Sequence, residues 1–159
     1  RQRQMCIRDS RSIDLRIFLI IGASLAMSRA METTGGVAFL SSNFIEVFDG
    51  APPAVMISAF FLLCAITTNI LSNNATAVLF APIALGLASS LSMAPEPFIF
   101  AVIFAANCSF ATPISYQTNL LVMTPGGYQF KDFMRAGIPL IFIIWITYSL
   151  FAPWYFGLY

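Results

Sequence analysis

A chain of 159 residues that is 58% hydrophobic and 9% charged cannot dress an ordinary water-facing surface, because soluble domains carry about 25% charged residues. It belongs in a bilayer. A net charge of +1 without a basic stripe excludes a nucleic-acid partner, and the absence of histidine with only three scattered cysteines (Cys6, Cys64, Cys108) leaves neither a disulfide framework nor a metal-ligand spacing.

Residues 1–10 are polar, share no helical period with residues 11–30 and look like translated adapter sequence. We read them as a non-native leader and set them aside, a basic cytoplasmic loop being the alternative. The chain opens without Met, as a piece of a longer protein would. A first span is expected over residues 12–33, its apolar stripe ending at Arg29 and Glu32, three apart and able to pair on a helix face. Gly35 and Gly36 break it, and residues 37–50 read as an interfacial segment.

Pro52 and Pro53 open the next helix, since proline suits a first turn. Two apolar arms, residues 54–66 and 75–90, flank a polar run, and each is shorter than the roughly 20 residues a crossing needs. Residues 52–92 are therefore expected to form a re-entrant hairpin with its tip at residues 68–74. A broken helix is expected over residues 97–124, apolar to residue 111 and interrupted at residues 112–119, with Pro113 forcing the break. An amphipathic stretch at residues 128–135 leads into a final span at 136–157, the one segment that meets the length requirement outright.

Arg11, Arg16, Lys131 and Arg135 flank the first and last spans, whereas Glu32, Glu46, Asp49 and Glu96 occupy the connections between. The positive-inside rule puts the basic connections in the cytoplasm and the C-terminus outside. The hairpin then dips in from the outer side.

Hydrocarbon cannot hydrogen-bond a backbone, so irregular polar chain at membrane depth survives only inside protein or beside a wet cavity. Two such breaks are the mark of a solute site in a carrier, where broken helices offer their ends to an ion. Free N–H ends suit an anion and free C=O ends a small cation. Ser72, Asn73 and Asn74 start the second arm, where Ser and Asn cap helices and can donate to an oxyanion. The carbonyls of Thr68, Leu71 and Asn73 point the other way in such a tip and could hold sodium, and Thr118 and Asn119 would supply donors on the facing wall.

Plainer roles suit other polar residues. Thr67, Thr76, Ser109 and Thr147 are expected to bond carbonyls of their own helices, Arg29 and Glu32 to pair at the interface, Lys131 and Arg135 to set topology, and the Phe and Met side chains to pack or face lipid. An intramembrane serine protease would need a base such as His, and an aspartyl type two embedded acids. Here Asp14, Asp49 and Asp132 lie near segment ends. A channel stays open as the alternative, because polar re-entrant loops also build filters.

Ser72-Asn73-Asn74 followed by Ala75-Thr76-Ala77 resembles the hairpin-tip signature of the divalent anion/sodium symporter family. These are sodium-coupled sulfate and dicarboxylate carriers, a branch of the ion-transporter superfamily that includes citrate carriers. Ala111-Thr112-Pro113-Ile114-Ser115-Tyr116-Gln117-Thr118-Asn119-Leu120, with Gly126-Gly127-Tyr128, is similar to the unwound helix of that family's second repeat. The resemblance implies an all-α polytopic membrane protein built from two inverted repeats, each with a re-entrant hairpin and a broken helix. Residues 11–159 would be the C-terminal half, the second inverted repeat. It further implies alternating access in a homodimer, in a bacterial inner membrane, with no cofactor beyond sodium as coupling ion. Ser72, Asn73 and Asn74 would contact a carboxylate or sulfate oxygen, and the backbone of Thr68, Leu71, Asn73 and Ser115 would bind one sodium.

Two departures leave the cargo open. Asn74 stands where the tip signature usually has Thr, and Tyr116-Gln117-Thr118-Asn119 replaces a proline-rich Thr-Pro-Pro-Asn form. Sulfate and dicarboxylates lead, with citrate, arsenite or sodium/proton antiport as superfamily alternatives.

Overall fold

The computed structural model describes residues 19, 22, 23, 26, 27, 29–31, 33–48 and 50–158. The leader at 1–10, Arg11, Asp14, Arg16, Glu32, Asp49 and most of the first span lie outside them. The described residues are helical or irregular, with no strand among them. The described part of residues 19–33 is helical, and six helices come after it: α1 (Gly36–Val47), α2 (Pro53–Thr68), α3 (Asn73–Ser90), α4 (Glu96–Ala106), α5 (Gln117–Gly126) and α6 (Phe130–Phe156).

Local chemistry explains where these begin. Pro52 is extended, with φ −62° and ψ 151°, and Pro53 takes the first helical position of α2, where its missing N–H costs nothing. Glu96 places a carboxylate in the first turn of α4, complementing the helix dipole. α6 opens with a capping box: the Asp132 carboxylate accepts from the Gln129 N–H at 2.8 Å. That cap starts the helix at Phe130, ahead of the expected residue 136, and merges the amphipathic stretch with the final span across Pro139. With 27 residues it is the one helix among the described residues long and apolar enough to cross a membrane.

α4 lies against both α2 and α3, α6 covers α2 and α4, and α1 packs on α3. Phe60 of α2 is the hub: its ring meets Phe44, Phe80 and Phe98, from α1, α3 and α4, edge-on at 5.8, 5.9 and 5.9 Å, the geometry that aromatic quadrupoles favour. Cys64 and Cys108 are free and buried, filling space as small apolar residues. α1, expected as an interfacial segment, fits Ser41 and Val37 against Gly86 of α3. A Cβ at Gly86 would run into Val37 Cγ1 and stand 3.0 Å from Ser41 Oγ.

Polar ties fasten α6. Tyr148 donates to the Pro97 carbonyl at 2.6 Å, Trp145 Nε1 donates to the Ser58 carbonyl at 3.0 Å, and the Ser58 and Ser149 hydroxyls lie 2.7 Å apart. Between apolar helices such bonds take over part of the holding role that hydrophobic burial has in water. The outer side of α6 keeps Ile143, Leu150 and Trp154 exposed, a surface suited to lipid or further protein.

Candidate functional site

The first break is residues 69–72, tighter than the tip expected at 68–74. α2 closes as Asn69 N–H bonds the Ile66 carbonyl at 3.2 Å and the N–H groups of Ile70 and Leu71 share the Thr67 carbonyl at 3.0 and 2.8 Å. Ser72 then turns extended, with ψ 156°, and its Oγ accepts from the Ala75 N–H at 3.3 Å. It is the N-cap of α3. Asn73 and Asn74 are therefore the first two helical residues, and their N–H groups lack partners in the ladder. Ser72 and Asn74 are exposed and Asn73 is half-buried.

The second break is residues 107–116, starting five residues upstream of the expected point. Pro113 does not end α4, because the helix stops at Ala106. Donors from the end of α2 and from the first break stop it instead. Thr68 Oγ1 donates to the Ala106 carbonyl at 2.8 Å and Asn69 Nδ2 to the Cys108 carbonyl at 2.9 Å. Ala111 N–H donates to Asn69 Oδ1 at 2.9 Å, and Thr112 Oγ1 to the Asn69 carbonyl at 2.7 Å. Three hydrogen bonds thus join the two breaks, all of them through Asn69, and a fourth ties together the helix ends that precede them. The remaining amide proton of Asn69 goes to the Ala65 carbonyl of its own helix at 2.7 Å.

A second knot lies inside residues 107–119. Ser115 Oγ donates to the Ser109 and Thr112 carbonyls at 3.1 and 2.9 Å, and Asn119 Nδ2 reaches the same two at 2.9 and 3.2 Å. Gly137 of α6 presses on this loop from behind, where a Cβ would run into the Phe110 carbonyl.

The residues expected at the site take unlike positions. Thr68 is fully buried and Ser115 nearly so. Thr68 Oγ1 stands 3.3 Å from Asn73 Oδ1. As the first residue of α3, Asn73 sends its carbonyl into the helix ladder; its side-chain oxygen is what it brings to Thr68. The Thr68, Leu71 and Ser115 carbonyls accept no hydrogen bond from any described residue. Thr118 is exposed in the first turn of α5, whereas the amide protons of Asn119 already serve the Ser109 and Thr112 carbonyls. Thr67 and Thr147 bond the carbonyls of Leu63 and Ile143 in their own helices, as expected. Ser109 instead lies in the break as an acceptor, and Thr76 is fully buried with no partner for its hydroxyl among the described residues.

Asn69 and Gly137 do not stand out at the level of sequence. The signal available for Asn69 is its place, an amide directly after the last helical threonine at the edge of the polar run. Gly137 carries no local signal. No cluster of three His, Cys, Asp or Glu exists among the described residues, so a cation here would be met by carbonyl, hydroxyl and amide oxygens, which suit a hard ion.

A family model described as citrate transporter matches residues 7–158. The chain belongs to the citrate transporter family. An uncharacterized transporter of Synechocystis is 42% identical over 141 residues, covering 89% of this chain and 23% of that protein. Sodium/sulfate cotransporter 1 of Chlamydomonas reinhardtii is 31% identical over 131 residues, covering 82% of this chain and 15% of that protein. Solute carrier family 13 member 2 of Mus musculus is 29% identical over 136 residues, covering 84% of this chain and 23% of that protein. The resemblance to the divalent anion/sodium symporters is thereby borne out, and membership makes this an all-helical part of a membrane transporter. The chain spans under a quarter of the length of these relatives.

Proposed function

We propose that the full-length protein is a secondary carrier moving a small divalent anion, sulfate or a dicarboxylate, together with sodium by alternating access. This chain supplies part of that carrier, read as belonging to its second inverted repeat. The observation that carries the reading is the cross-bonded junction of two helix breaks among apolar helices, rich in uncharged polar residues and without a charged side chain in residues 67–76 or 107–119. The sodium/sulfate cotransporters among the relatives support the choice of ions.

In this reading Ser72, Asn73 and Asn74 present N–H groups and side-chain donors to the anion, with Thr118 opposite at the start of α5. Neutral donors and helix ends bind weakly enough to let the anion go again. Sodium sits on the unclaimed carbonyls of Thr68, Leu71 and Ser115, with Asn73 adding its side-chain oxygen. Sodium orders the hairpin tip and improves the anion site, and by linkage the anion tightens sodium equally. α2 and α3 form the re-entrant hairpin, entering from outside, and α6 leaves the C-terminus outside a bacterial inner membrane. The carrier works as a homodimer.

The test is uptake into proteoliposomes by a full-length protein bearing this sequence, with radiolabelled sulfate, succinate and citrate in parallel. Saturable uptake of one of them that depends on an inward sodium gradient is expected. Flux that neither saturates nor depends on sodium would favour the channel.

A further inference from the structure

We propose that Asn69 is a positioning residue that presets the sodium site by holding the two helix breaks at a fixed spacing. The inference rests on the function proposed above and adds a residue to it.

The oxygens assigned to sodium come from two separate pieces of chain. Thr68 and Leu71 belong to the end of α2 and the tip, and Ser115 to the second break. An ion that had to gather two mobile segments would lose much of its binding free energy in ordering them. Asn69 removes that cost in advance. It sits between Thr68 and Leu71, and its side chain reaches Cys108 with its amide and Ala111 with its oxygen, one residue on each side of Ser109 and Phe110. Its carbonyl takes the Thr112 hydroxyl, three residues before Ser115. A further bond, to the Ala65 carbonyl, locks the side chain to its own helix. Both amide protons are thus in use and the amide oxygen already accepts from Ala111, so the side chain is committed to tying one piece of chain to the other. Its effect on transport passes through the oxygens it spaces.

A residue acting this way has a definite kinetic signature. Losing it leaves the ligating atoms present but unordered, so more sodium is needed while the sodium-saturated carrier still works. The experiment is uptake of radiolabelled sulfate, succinate and citrate by the full-length protein in proteoliposomes, with sodium titrated. For Asn69→Ala we expect the half-saturating sodium concentration to rise about tenfold, with maximal rate and anion KM at saturating sodium within about twofold of the parent. Thr112→Val, which removes only the 2.7 Å bond to the Asn69 carbonyl, should raise it about threefold. Thr112→Ser, which keeps the hydroxyl, should restore it.

An unchanged sodium requirement in Asn69→Ala overturns the inference, as does a fall in maximal rate alone, which marks a merely structural residue. If Asn69→Ala does not fold, the Thr112 pair decides by the same criterion. A parent protein whose uptake ignores sodium overturns the proposed function and this inference together, whereas a sodium-dependent parent with insensitive variants overturns this inference alone.

Discussion

Gly137 of α6 and Phe110 of the second break touch backbone to backbone: a Cβ on Gly137 would run into the Phe110 carbonyl and stand 2.6 Å from Ala111 Cα. No side-chain rotation can relieve such a clash. The N–H of Ala111 is meanwhile bonded to Asn69 at 2.9 Å. The Phe110–Ala111 peptide is therefore gripped between the end of α2 and the last helix, and α6 braces the junction.

Gly137→Ala should consequently cost about 1–3 kcal/mol through overpacking, and do so at the junction. Thermal unfolding in detergent should shift down and maximal uptake should fall. Gly86→Ala meets side chains of α1 rather than backbone, and should lose stability with transport largely retained. Equal transport in Gly137→Ala and parent would show that α6 does not brace the junction.

Ser72→Ala deletes the cap that accepts the Ala75 N–H. A lost N-cap costs about 1 kcal/mol, and the first turn of α3 is the turn that offers N–H groups to the anion. Anion KM should rise several-fold, and Ser72→Asn, which preserves capping, should stay near the parent. Uptake titrations with each variant check this.

Asn73 faces both ions in the proposed site. Asn73→Ala should abolish sodium-stimulated uptake and anion binding together; unchanged uptake would refute the assignment. Asn73→Asp keeps an oxygen 3.3 Å from Thr68 but adds negative charge. It should tighten sodium and weaken the anion, a split readable by sodium-induced thermal shifts with and without sulfate.

Thr76 is fully buried with a hydroxyl unpartnered among the described residues. Thr76→Val replaces it with a methyl of similar shape and should stabilise the protein by about 1 kcal/mol, the cost of burying an unpaired polar group. A raised sodium requirement in place of stabilisation would show that the hydroxyl faces a ligand.

Tyr148→Phe removes the 2.6 Å bond to the Pro97 carbonyl. Interhelical bonds in membranes average about 0.6 kcal/mol, so a small loss of thermal stability is expected with sodium dependence untouched. This separates ties that hold α6 in place from those that set the site.

Much is legible without coordinates where the governing physics is local. Pro53 opening α2, Ser72 capping α3 and the long final helix come from ring geometry, a side-chain oxygen three residues from an orphan N–H, and a run of apolar residues. The second break begins upstream of its expected place for the opposite reason. Pro113 offers a local cause for a helix end, but Ala106 and Cys108 lose their ladder because Thr68 and Asn69 supply donors from 38 and 39 residues away. Asn119 reads as a free donor for the same lack of sight, since only the folded loop shows its amide turned onto the Ser109 and Thr112 carbonyls.

The sequence by itself determined that this is a membrane segment with two polar interruptions, because hydropathy and capping act over a few residues and cannot be hidden by the fold. Only the tertiary structure decided where those interruptions begin, that Asn69 joins them, and that Gly137 must stay bare. Each of these depends on a distant backbone group arriving within hydrogen-bond or van der Waals reach, and no pattern along the chain records that arrival.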